Sequence, residues 1–100
     1  MKSSIRHKLE TISERFAEIT ALLAEPETQS DNNRFRELSQ EYAQIQPIVQ
    51  VYGEYTANED DLASAKEMLE DPEMAELAGD TITEAEARKE ELLPQLQRLL

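Results

Sequence analysis

One hundred residues suffice for one small domain, and with five aromatic side chains and no Trp its core must be built from Leu, Ile and Ala. Twenty-two acidic against ten basic residues give a net charge of −12, which sets most of the surface against a phosphate backbone. The absence of cysteine excludes disulfides, thiolate nucleophiles and thiolate metal sites. The longest apolar run, Ala21-Leu22-Leu23-Ala24, is far short of a membrane span. The start of the chain lacks the apolar stretch of a signal peptide, so the cytoplasm is the expected compartment.

Glu, Ala, Leu and Gln dominate, and only two glycines occur, a composition that favours helix nearly throughout. The mean hydropathy of −0.66 raises disorder as a rival reading; sustained apolar periodicity argues against it. The first helix is predicted over about 4–24. Its stripe, Ile5, Leu9, Ile12, Phe16, Ile19 and Leu22 or Leu23, alternates steps of three and four, as a heptad seam does. Ser3 or Ser4 can cap its start. Glu25-Pro26 ends it, because a residue before proline is pushed out of the α region, and Glu27 to Ser30 reads as a polar connection.

The second helix is predicted over 31–70, with Ser30 or Asp31 as cap. Its stripe is Phe35, Leu38, Tyr42, Ile45, Val49 and Tyr52. After Tyr52 the frame shifts by one residue to Tyr55, Leu62, Ala65 and Leu69, with Gly53 at the slip. Pro47 costs a helix interior roughly 3 kcal/mol, yet the stripe keeps phase across it, so one long kinked helix is expected.

At Asp71-Pro72 the pattern stops and resumes at once with Met74, Leu77 and Ala78. Asp is a good N-cap, and Pro at the next position gives up an N–H that a helix start leaves unpaired anyway. The third helix is therefore predicted over 72–99, carrying Met74, Ala78, Ile82, Ala85, Leu92, Leu96 and Leu99. Gly79 weakens it, Thr81 to Glu84 reads as a capping box where it could break and restart, and Pro94 marks another weak point. Three amphipathic helices must bury their stripes against one another. The expected fold is all-α, an elongated antiparallel three-helix bundle of coiled-coil character forming a single domain. Leu9, Phe16, Leu38 and Ile45 are expected in its core. Arg98-Leu99-Leu100 continues the apolar pattern without a stop signal, as in a fragment of a longer protein.

The chain offers little chemistry. Asp60-Asp61 and Glu90-Glu91 are adjacent in sequence, so on a helix each pair diverges by about 100° and cannot share a proton. His7 is the only histidine and no Glu-x-x-His pair exists, which leaves no metal ligand set. The segment from Asp31 begins like a calcium loop with Asn33, but it has Phe35 at a ligand position, Arg36 where Gly is required, and Tyr42 at its end. Lys2, Arg6 and Lys8, with Arg15 beyond, could touch a phosphate backbone. The plainer reading pairs Arg6 with Glu10 and Arg15 with Glu18 along the helix. Tyr42, Tyr52 and Tyr55 fit core and rim better than base-stacking platforms. Isolated Gly53 and Gly79 form no phosphate-cradling loop. No catalytic, cofactor-binding or metal-binding residue is assigned, and no enzymatic activity is expected.

Three blocks in order, S-I-x-x-K-L-E (Ser4 to Glu10), R-F-x-x-L-S-x-E-Y-A (Arg34 to Ala43) and M-L-x-D-P-E-M-x-E-L-A (Met68 to Ala78), give the chain its resemblance. It resembles the N-terminal helical domain of bacterial class-one peptide chain release factors, and more closely the type that reads UAA and UAG. The resemblance implies a non-catalytic domain that orients its factor on the ribosome. In the family this domain reaches toward the stalk base of the large subunit and bears on the recycling GTPase. The family's ester-cleaving G-G-Q does not occur here, and the one P-x-T string, Pro26-Glu27-Thr28, falls at the polar connection after the first predicted helix, so no functional residue is carried over. The competing reading is a stand-alone acidic coiled-coil adaptor or chaperone for a basic partner.

Overall fold

The computed structural model describes the whole chain, residues 1–100. It contains four helices and no strand: α1 (Ser3–Leu23), α2 (Pro26–Gln29), α3 (Asn32–Met68) and α4 (Ala75–Leu99). The all-α expectation holds. Packing divides the chain into two compact units, Met1–Gln50 and Val51–Leu100, so α3 contributes its first half to one and its second half to the other.

In the first unit α1 packs against the first half of α3. Leu9 and Ile19 are fully buried and Leu38 nearly so, and the Phe16 and Tyr42 rings meet at 4.7 Å between centroids, tilted by 31°. Phe16 and Ile45 are only half-buried rather than core. Phe35, expected at the head of the α3 stripe, is exposed. It lies instead along an open trough with Asn32, Arg36, Ser39, Gln40 and Ala43. The α1–α3 connection is also more ordered than a polar linker. Pro26, with φ preset for a first helical position, starts the one-turn helix α2, whose Thr28 is buried. The Ser30 hydroxyl donates to the Pro26 and Glu27 carbonyls, and the Gln29 amide to the Leu23 carbonyl. The bonds to Leu23 and Glu27 satisfy oxygens that the ends of α1 and α2 would leave unpaired, while the Pro26 carbonyl also accepts the Ser30 N–H.

Asp31, not Ser30, caps α3: its carboxylate accepts the Arg34 N–H at 3.2 Å. From there α3 runs 37 residues unbroken through Pro47. Pro47 is exposed, as is Ala43, whose carbonyl loses its helical donor to the proline and lies where water can replace it.

In the second unit, α4 runs antiparallel to the second half of α3. Glu54 pairs with Arg88 while Asn58, one turn further on, bonds Ala85; partner numbers fall as α3 numbers rise. Tyr52, Tyr55, Leu62 and Ala65 of α3 and Ala78, Ala85, Leu92 and Leu96 of α4 are buried, as the shifted frame after Tyr52 requires. Alanines on both helices allow close approach of their axes.

Three expectations in this unit are corrected. Helix α3 ends at Met68 and α4 begins at Ala75 rather than Pro72. Asp71 still caps, but it caps a turn: its carboxylate accepts the Glu73 N–H at 3.0 Å and its carbonyl the Met74 N–H. The capping box at Thr81 does not form, because α4 passes through it unbroken, and the Thr83 hydroxyl donates back to the Gly79 carbonyl. Leu69 and Leu99, assigned to stripes, are exposed, since one lies past the end of α3 and the other in the last turn of α4.

Candidate functional site

Arg15 of α1 is the most heavily engaged charge. Its Nε and Nη2 donate to the two carboxylate oxygens of Glu41 on α3, each at 2.7 Å, and its Nη1 donates to Glu18 one turn along α1. The guanidinium and carboxylate forks match as a bidentate pair. That hydrogen bonding, reinforced by the opposite charge, holds the Glu41 carboxyl below its ordinary range and the Arg15 guanidinium above its own. The Arg15–Glu18 pairing was legible in the sequence. Glu41 was not, although Arg15 precedes Phe16 and Glu41 precedes Tyr42, so the ring contact places the two charges side by side. Arg15 is therefore a helix staple rather than a phosphate ligand. His7 and Lys8 are exposed on the same helix, as is Lys2 just before its start.

A second polar cluster lies on the α3–α4 face. Arg88 donates to Glu54 at 3.2 Å and to Glu91 at 3.0 Å, and the Asn58 amide donates to the Ala85 carbonyl at 2.9 Å. Asp61, Thr81 and Glu84 complete the hollow's lining. Its one cation is already paired with two carboxylates, and no nucleophile–base pair lies in it. Asp60, Asp61, Glu90 and Glu91 are all exposed, Glu91 paired with Arg88, as is usual for charges on a helix surface. Asp31 and Asn33 belong to the start of a helix instead of a ligand loop, and no three His, Asp or Glu side chains converge as a metal would need. No buried side-chain nitrogen or oxygen lacks a partner.

The remaining feature is the α3–α4 turn. Leu69 is 46% exposed and Leu77 56%, both larger fractions than any other large hydrophobic residue. Between residues 67 and 80 stand six carboxylates, Glu67, Glu70, Asp71, Glu73, Glu76 and Asp80, and no basic side chain. No helix is long and apolar enough to cross a membrane.

The family model of the PCRF domain matches residues 12–100, and the chain belongs to that family, a domain of peptide chain release factors that takes part in translation termination at the ribosome. Two of the three sequence blocks, Arg34 to Ala43 and Met68 to Ala78, lie inside the match; Ser4 to Glu10 precedes it.

Proposed function

We propose that this chain is the N-terminal helical domain of a class-one release factor of the type acting at UAA and UAG. In this reading it orients the factor on the large subunit near the stalk base and toward the recycling GTPase, in the cytoplasm. The observation that carries it is the family match over residues 12–100 in a chain without G-G-Q. The family's codon-reading and ester-cleaving motifs would lie in further domains, with residues 1–100 as the front end. The motif block from Met68 to Ala78, with the Arg34 to Ala43 block upstream, supports the UAA and UAG type by resemblance.

The physical division of labour is simple. A helical domain braced by the Arg15–Glu41 and Arg88–Glu54 pairs between helices can position its parent, while the chemistry of release is left to the G-G-Q loop outside residues 1–100. Single-turnover peptide release tests this. Deleting the domain from the full-length factor should raise the factor concentration needed for half-maximal release, while release at saturation stays intact on UAA and UAG. A deleted factor as slow at saturation as a G-G-Q variant would refute a purely positioning role. Translation of the gene past Leu100 is the cheaper check: an early stop codon would remove the proposal, and a downstream P-x-T with G-G-Q would support it.

A further inference from the structure

We infer that the outer face of α3 between Asn32 and Gln50 is a self-association surface, covered by a second copy of this chain in antiparallel orientation.

Asn32, Arg36, Ser39, Ala43, Gln46 and Gln50 follow one another at steps of four, three, four, three and four, the spacing of a coiled-coil seam. This seam is not the one that packs on α1: Ser39 is half-buried and the other five residues are exposed. Phe35, the exposed aromatic of the trough, borders it toward one end and exposed Pro47 toward the other. In a chain with twenty-two carboxylates the seam has none, and its polar side chains make no hydrogen bond or ion pair within the domain. Aromatic and Arg side chains without Asp, Glu or Lys are the composition of an interface core rather than of a solvated helix face.

The order of the seam selects the occupant. Its steps read the same in both directions, so an antiparallel two-fold pairing brings each position level with another member of the same seam. Asn32 meets Gln50 of the second copy, Arg36 meets Gln46, Ser39 meets Ala43, and Phe35 at the border meets Pro47. Amide side chains each carry donors and an acceptor and can pair with their own kind, whereas carboxylates repel theirs. Pro47 adds a second observation. It leaves the exposed Ala43 carbonyl without its helical donor, and the pairing sets a Ser39 hydroxyl beside that oxygen in each copy. The seam is about 27 Å long and one helix about 10 Å wide, well short of the ~800 Å² per partner of a stable complex. The association is therefore weak and concentration-dependent. Each copy carries a charge of −12, so added salt strengthens the contact by screening the repulsion; a contact held by ion pairs would weaken instead.

Sedimentation of the whole chain over a range of concentrations, at low and high salt, reads the association. The expected result is a monomer–dimer equilibrium that tightens with salt. Ala43→Glu should weaken it roughly tenfold or more, because it puts two carboxylates into one contact, while Gln46→Glu should tighten it by facing Arg36. Both positions are exposed, and melting temperatures matching the parent's show that the variants fold. The chain has no cysteine, so a mixture of Ser39→Cys and Ala43→Cys chains in a thiol–disulfide buffer reports orientation, and the mixed 39–43 disulfide should dominate. A strict monomer at the highest concentration overturns the proposal and leaves the face to a different partner. Dimers that loosen with salt, ignore Ala43→Glu, weaken with Gln46→Glu or form mainly 39–39 and 43–43 disulfides overturn it as well.

Discussion

Leu92 and Leu77 lie on the same helix, α4, yet one is 0% exposed and the other 56%. Truncating each to alanine removes the same atoms and changes helix propensity by the same small amount, so any difference between the two variants measures burial. For Leu92→Ala the lost transfer energy and the cavity left behind together cost about 2–5 kcal/mol. For Leu77→Ala the side chain was already half in water and leaves no cavity, which puts the change within about 0.5 kcal/mol of zero. A domain of this size has a total stability on the order of 5–15 kcal/mol, so Leu92→Ala removes a large share of it. With ~4–8 °C of melting temperature per kcal/mol at this size, the expected drop is at least ~8 °C for Leu92→Ala and at most a few degrees for Leu77→Ala. Urea unfolding followed by circular dichroism at neutral pH gives the free energies, and a thermal scan gives the shifts. Equal destabilisation by the two substitutions would refute the burial assignment along α4, and with it the packing of α4 on α3.

Two further outcomes follow from the helices and their charges. A Cβ added at Gly53 or at Gly79 meets nothing within 4 Å, and both residues are inside helices, so Gly53→Ala and Gly79→Ala should each stabilise by about 0.5–1 kcal/mol in chemical denaturation; a loss of stability would mean that close packing requires the glycine. Glu41 has its carboxyl lowered in the folded state by hydrogen bonding to Arg15, so its contribution is complete above the ordinary glutamate range and fades as pH falls through the lowered value. Glu41→Gln should therefore be less stable than the parent at neutral pH and converge toward it in acid; a gap that widened in acid would contradict the sign.

Much of this fold follows from local rules. The heptad spacing of Leu9, Ile19 and Leu38 placed them in the core, because a 3.6-residue period leaves a helix only one face to bury. Helix through Pro47 was legible because the stripe keeps phase across it. The family was legible in the Arg34 to Ala43 and Met68 to Ala78 blocks. What sequence periodicity cannot supply is where a stripe runs out of partner. Phe35, Leu69 and Leu99 satisfy the pattern as well as Leu38 or Leu96 does, yet they are exposed, since burial depends on what faces a residue rather than on its own spacing.

The ends of elements were decided in the same way. Asp71-Pro72 carries every local mark of a helix start, and the chain instead spends three more residues in a capped turn before α4 begins. The Arg15–Glu41 staple joins residues 26 apart in sequence, a distance at which no local rule operates. Side-chain period and capping chemistry act within a turn or two of helix, so the sequence by itself determined the helices and their inward faces. The pairing of charges across helices and the exposure of Leu69 and Leu77 at the tip required the folded backbone, because only there do distant residues acquire neighbours, or fail to.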